Sequence, residues 1–191
     1  SVRGGWAVGH AGMIGSFIAL YGRRRAPYTG CHEDFAFAPM NTAPICIVRH
    51  GETDWNKRGV LQGWLDVPIN DLGRRQAHAL AESLVDVGVT AVWTSPLVRA
   101  KETADIVAAH LHLPPPFIHA GLKEKNFGAV QGIPKDELAE LNPALLEQIV
   151  RRNPAAVFVG GESMDEFADR VLAAFDEISG LCGDDRRFPG E

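Results

Sequence analysis

Arg49-His50-Gly51-Glu52-Thr53 sets an imidazole between a guanidinium and a glycine, directly after the apolar run Ile45-Cys46-Ile47-Val48. Those types at a strand end suit the handling of phosphate. A histidine can attack phosphorus, an arginine can neutralise phosphate oxygens, and a glycine lets backbone approach closely. The competing reading is a strand end carrying solvated charges, because short motif matches arise by chance.

Such residues act only if elements hold them, and from Met40 onward strand and helix signals alternate. Ile45–Val48 reads as a buried strand. Asp71 to Val87 reads as a helix with Leu72, Ala79, Leu80, Leu84 and Val87 on one face and Gly88 at its end. Ala91–Thr94 reads as a strand, and Leu97–Leu111 as a helix with the stripe Ala100, Ala104, Val107, Ala108 and Leu111. Leu113-Pro114-Pro115-Pro116 stops it before a short edge-like strand, Phe117–His119. Pro134–Leu141 and Pro143–Arg152 read as short helices with proline in the first turn. Ser163 to Leu181 reads as a long helix, where Ser163 and Glu166 form a capping box. This alternation argues for an α/β sheet with helices on its faces.

A chain of 191 residues allows one domain with a sizeable core. An apolar fraction of 46% with 23% charged residues fits an ordinary globular protein, and no apolar run reaches membrane-spanning length. The net charge of −5 argues against nonspecific nucleic-acid binding. Cys31, Cys46 and Cys182 lack metal-like spacing. Cys46, in an apolar strand, reads as a buried free thiol, and the set suggests a reducing, cytoplasmic setting without a structural disulfide. Residues 1–39 differ from the rest. Gly4, Gly5, Gly9, Gly12, Gly15 and Gly22 interrupt any helix, Arg23-Arg24-Arg25 follows, and Met40 reads like a start. We therefore expect 1–39 to be a poorly ordered extension and 40–191 to be the domain.

From Ile45 onward the chain resembles the histidine phosphatase superfamily, which includes phosphoglycerate mutases and small broad-specificity phosphatases. Five segments carry the resemblance in order: Arg49 to Asn56; Gln62-Gly63-Trp64-Leu65-Asp66-Val67-Pro68-Ile69-Asn70; Ser95-Pro96-Leu97-Val98-Arg99-Ala100 with Thr103-Ala104; Leu122 to Gly128 with Gln131-Gly132; and Gly161-Glu162-Ser163. The resemblance implies a three-layer α/β sandwich with a mostly parallel sheet. It implies phosphoryl transfer through a phosphohistidine on His50, with Arg49 and Arg99 holding phosphate oxygens by planar, permanently charged donors. Glu124 would protonate the leaving alkoxide and then activate water. A carboxyl beside bound phosphate should have a raised pKa, against the plain reading of an exposed turn glutamate. Gly51, Thr53, Asn56, Gln62 and Gly63 would line the substrate pocket. Glu52 would fix the loop, and Trp64, Trp93 and Phe127 would be wall or core. Lys101 and Arg74-Arg75 read as a solvated face.

The same resemblance implies a second histidine in a V-x-x-H-G strand. His78, His110, His112 and His119 lie in segments that do not match it. We expect the chain to stop before that strand, or Ala7 to Ile14, with His10, to replace it by circular permutation. Three functional readings stay open. The first is hydrolysis of a small phosphate monoester, favoured by the short connection 133–160 by analogy with the family. The second is a phosphoglycerate mutase. The third is an inactive fragment or phosphate-binding module. The phosphatase and mutase readings need no metal and no cofactor. Neither a nucleic acid nor a membrane is expected as partner, and an open sheet edge leaves room for a homodimer.

Overall fold

A computed structural model describes residues 17–22, 45–151 and 153–183. Strands β1 (Phe17–Gly22), β2 (Ile45–Arg49), β3 (Val89–Thr94) and β4 (Phe117–Ile118) form one sheet in the order β2-β1-β3-β4. β1 is antiparallel to both neighbours, pairing Ile18 with Val48 on one side and with Thr94 on the other. β4 is parallel to β3. So β2, β3 and β4 share one direction, as expected of a mostly parallel sheet, and β1 runs against them. β1 comes from within the segment read as an extension. Residues 1–16 and 23–44, with His10 and Cys31 among them, lie outside the described residues.

Alternation along β3 sends successive side chains to opposite faces. Val92 packs with Ala81 and Leu84 from α2 (Asp71–Ser83) and the turn after it, and with Ala104, Val107 and Ala108 from α3 (Val98–His110). Trp93 packs on the other face with Leu122 and with Phe167, Val171, Ala174, Phe175 and Ile178 of α6 (Met164–Gly183). Helices thus cover both faces of the sheet, the three-layer arrangement expected. The expected capping box starts α6: the Glu166 amide donates to Ser163 Oγ at 3.1 Å, and the Ser163 amide donates to Glu166 Oε2 at 2.7 Å. Such a cap contributes about 1 kcal/mol. A third cluster joins Leu61, Phe127, Ala156 and Phe158 to Leu138 of α4 (Lys135–Leu141) and Ile149 of α5 (Pro143–Val150). Segment 133–160 therefore builds a small core of its own.

Two expectations are corrected. The strand expected to be buried, with Cys46 as a buried thiol, is exposed at Cys46 and Ile47. β2 ends the sheet among the described residues, and helix cover falls mainly on β3; Ile45 and Val48 reach the two clusters only in part. Helix α2 stops at Ser83 rather than Val87, and its buried face is Gly73, Ala77 and Ala81, while Leu72 and Val87 are exposed. The last turn tightens, with Leu84 N–H reaching back to Ala81 O and Ser83 Oγ–H to Leu80 O. Gly73 faces inward because the helix start presses on the loop after β2, and Ala81 packs in the cluster with Val92 and Ala104. A Cβ on Gly51 would collide with the Gly73 carbonyl, and one on Gly73 with the Glu52 carbonyl.

That contact decides the sign of a substitution. Inside a helix, alanine ordinarily gains up to about 1 kcal/mol over glycine. A backbone collision costs about 1–3 kcal/mol. Gly73→Ala should therefore destabilise the chain in urea titrations, and a higher midpoint would contradict the close approach.

Candidate active site

His50 sits where β2 gives way to the loop leading to α1 (Asp54–Lys57). Its Nδ1 lies 2.7 Å from the Gly51 carbonyl. A carbonyl can only accept, so Nδ1 carries the hydrogen and the neutral ring keeps its lone pair on Nε2. Nε2 is buried and has no hydrogen-bond partner among the described residues. Burial holds the imidazole pKa down to about 4. The Gly51 hydrogen bond opposes that shift, and the charges of Arg99 and Arg49 add to it. The ring is therefore neutral at pH 7.

The loop bearing His50 is tied to α3. Gly51 N–H donates to Thr103 Oγ1 at 3.0 Å, and the Thr103 hydroxyl donates to the Arg99 carbonyl at 2.8 Å. Arg99 lies one residue inside α3 and is 0% exposed. Its Nη1 donates to Leu65 O at 2.9 Å; its Nη2 donates to Gly63 O at 2.6 Å and to Glu124 Oε2 at 2.7 Å. Its Nε is buried without a partner among the described residues. Arg99 thus belongs to the interior and not to a solvated helix face.

Glu124 is buried, not an exposed turn residue. Desolvation pushes its carboxyl above the usual carboxylate range, and the Arg99 charge and hydrogen bond and the Arg49 charge pull the other way. Arg49 is exposed at the end of β2, yet its charge acts on both His50 and Glu124. The structure therefore gathers His50, Arg99, Glu124 and Arg49 around one place.

Thr53, Asn56 and Gln62 form an adjoining hydrogen-bonded cluster. The Thr53 hydroxyl is buried and lies 3.0 Å from both Asn56 Oδ1 and Gln62 Oε1. Asn56 and Thr53 also cap α1 reciprocally, which turns the Asn56 amide oxygen inward. Gly63 adopts φ +53°, a left-handed conformation that favours glycine, and this aims its carbonyl at Arg99. Glu52 fixes the loop by accepting from Asn70 Nδ2 at 3.0 Å. Lys101 and Arg74 are exposed and pair with Asp105 and Asp71 on their own helices.

Sequence reasoning assigned no role to Thr103, although it stood in a quoted segment, and passed over Arg170. Arg170 pairs with Glu162 and reaches the carbonyls of Gly121, Lys123 and Glu124. The signal was faint: opposite charges at 162 and 170 around the start of a helix. Trp64 is partly exposed, and its indole N–H donates to the Glu124 carbonyl at 2.8 Å. Among the described residues no group of three or more His, Cys, Asp or Glu is placed to hold a metal ion, and no helix is long and apolar enough to cross a membrane.

The family described as the histidine phosphatase superfamily (branch 1) matches residues 45–186. The chain is 36% identical over 135 residues to the uncharacterized phosphatase PhoE of Bacillus subtilis (strain 168), covering 71% of this chain and 64% of that protein. It is 38% identical over 137 residues to the metal-independent phosphoserine phosphatase of Arabidopsis thaliana, covering 71% of this chain and 58% of that one. The crystal structure of phosphoglycerate mutase from Thermus thermophilus superposes with a TM-score of 0.57 at 34% identity, over 68% of each chain. The chain spans about three fifths of the length of the curated relatives it matches.

The two buried groups leave opposite marks on stability. His50 has a folded pKa of about 4 against an ordinary 6.5, so between those values the unfolded chain takes up a proton that the folded chain refuses. Stability should be full above about pH 6.5 and be lost as pH falls towards 4, by at most about 3 kcal/mol. The folded pKa of Glu124 is raised, so its contribution is present at low pH and is lost as pH rises above the usual carboxylate range. In urea titrations across pH, His50→Asn should flatten the acid-side slope and Glu124→Gln should flatten the loss as pH rises, while the loss of the charged partner of buried Arg99 should lower stability overall. Unchanged slopes in both would contradict these environments.

Proposed function

We propose, from the premise that the chain belongs to the histidine phosphatase superfamily (branch 1), that it hydrolyses small phosphate monoesters through a phosphohistidine on His50. The observation that carries this reading is the buried Nε2 lone pair, free of partners among the described residues while Nδ1 is anchored on the Gly51 carbonyl. Nucleophilic catalysis needs a neutral imidazole with one nitrogen held and the other open.

In the first step Nε2 attacks phosphorus and the bond to the ester oxygen breaks. Glu124, whose neutral form burial favours, gives a proton to the leaving oxygen. Its release makes a carboxylate that Arg99 can hold. Arg49, with the open Nε of Arg99, balances charge on the phosphoryl oxygens, and in phosphoryl transfer such positioning and charge stabilisation carry most of the catalysis. As the N–P bond forms the ring becomes cationic, and the Nδ1–H bond to Gly51 spreads that charge. In the second step Glu124 takes a proton from water, the water oxygen attacks phosphorus, the N–P bond breaks, and phosphate leaves. His50 and protonated Glu124 are restored. Gly51, Thr53, Asn56, Gln62 and Gly63 shape the pocket. This chemistry needs no metal or cofactor; we assign it to a domain over 40–191 that takes β1 from the segment before it, and to the cytoplasm.

A mutase reading is favoured by the likeness to a solved phosphoglycerate mutase and to relatives named as probable phosphoglycerate mutases. The short connection 133–160 supports hydrolysis instead, by analogy with the family. Conversion of 3-phosphoglycerate to 2-phosphoglycerate with a bisphosphoglycerate primer would favour the mutase.

Hydrolysis of p-nitrophenyl phosphate in chelator should be measurable and should vanish in His50→Ala. Glu124→Gln should slow hydrolysis of an alkyl phosphate by about 10²–10⁴-fold. Turnover that survives His50→Ala would sink the phosphohistidine reading. Phosphate binding without turnover, lost on replacing Arg49, would make the chain a phosphate-binding module.

A further inference from the structure

The segment that presents Glu124 has almost no regular structure of its own. A single 3-10 turn, Ala120–Leu122, precedes it, and the chain then runs irregularly to Phe127. Backbone carbonyls there have no ladder to satisfy them, and buried carbonyls need partners. One side chain from α6 supplies three. Arg170 Nη1 donates to Gly121 O at 2.9 Å and to Lys123 O at 3.0 Å, and Nη2 donates to Glu124 O at 3.3 Å.

The same guanidinium is itself fixed. Its Nη2 and Nε donate to Glu162 Oε1 and Oε2 at 2.6 and 3.2 Å, a two-point pair. Glu162 Oε1 also accepts the Asn126 N–H at 2.8 Å. The pair thus grips the segment before Glu124 through Arg170 and after it through Glu162. Both side chains are largely shielded, 23% and 13% exposed, so solvent screening weakens them less than a surface pair. Trp64 brings a second donor to the Glu124 carbonyl, which links this grip to the loop whose Gly63 carbonyl holds Arg99.

We propose that Arg170, held by Glu162, is a positioning residue that sets the Glu124 carboxyl for proton transfer by fixing the backbone on either side of it. This deepens the reading of Glu124 as proton donor and rests on it. Arg170 bonds the loop from the side of α6, while the carboxyl points to Arg99, so Arg170 acts through Glu124 and not on the phosphate. A shift of about 1 Å in a reacting group costs about 10²-fold in rate.

Leaving-group chemistry separates positioning from general disruption. A p-nitrophenolate leaves with little help, whereas an alkoxide needs its proton. Arg170→Met should lower kcat by about 10²-fold on an alkyl phosphate and far less on p-nitrophenyl phosphate, with KM nearly unchanged. Arg170→Lys, which keeps the charge on Glu162, should recover part of the loss. Equal losses on both substrates, or no loss on either, would overturn the proposal. A measurement without turnover keeps it testable if the chain proves inactive: carbon-13 titration of the Glu124 carboxyl in the folded chain. Arg170→Met, or Glu162→Gln if the first variant fails to fold, should move that titration midpoint, and an unmoved midpoint would overturn the proposal. Failure of the parent chain to hydrolyse either ester would count against the phosphatase reading, and the carboxyl titration would still decide the role of Arg170.

Discussion

A guanidinium that cannot give up its charge lies with none of its surface exposed, and the site is organised around that constraint. Arg99 needs acceptors on every side, and it draws them from separate stretches of chain: Gly63 and Leu65 from one loop, Glu124 from another. Burying such a charge costs several kcal/mol unless it is paired and hydrogen-bonded. The loops that meet it are therefore held in register by the demand of one residue. Its backbone carbonyl also accepts the Thr103 hydroxyl, which in turn accepts the Gly51 N–H, so the loop after His50 is fixed by the same helix turn.

Around that hub the two titrating groups are displaced from their ordinary states in useful directions. His50 is kept neutral by burial and by two nearby positive charges. Burial raises the pKa of Glu124, and the Arg99 guanidinium bonded to its carboxyl opposes that rise. The two-step displacement proposed for this site calls for a nucleophile and an acid whose pKa values are moved by their surroundings. The balance is local: the same guanidinium lowers one pKa and limits the rise of the other.

Much of this was legible in the sequence where the determinants are local. The capping box at Ser163 and Glu166, the stripe of α3 and the order of the motif segments all hold, because neighbours in sequence decide them. What failed depends on distant chain. The burial of Ile45 to Val48 turned on which strand the helices cover, and apolar letters alone do not say. The inward face of α2 is Gly73, Ala77 and Ala81, with Gly73 pressed against Gly51, a contact that hydrophobic periodicity ranks below Leu72. Arg170 bonds carbonyls that belong to no motif letter, so no residue pattern announces it.

Nitrogen-15 spectra of the His50 imidazole across pH test the account most directly. The account predicts a ring protonated on Nδ1 alone at neutral pH, with Nε2 bare, taking up its second proton only near pH 4. A neutral-state proton on Nε2 would remove the open lone pair, and a ring that titrates near 6.5 would contradict the burial that lowers its pKa.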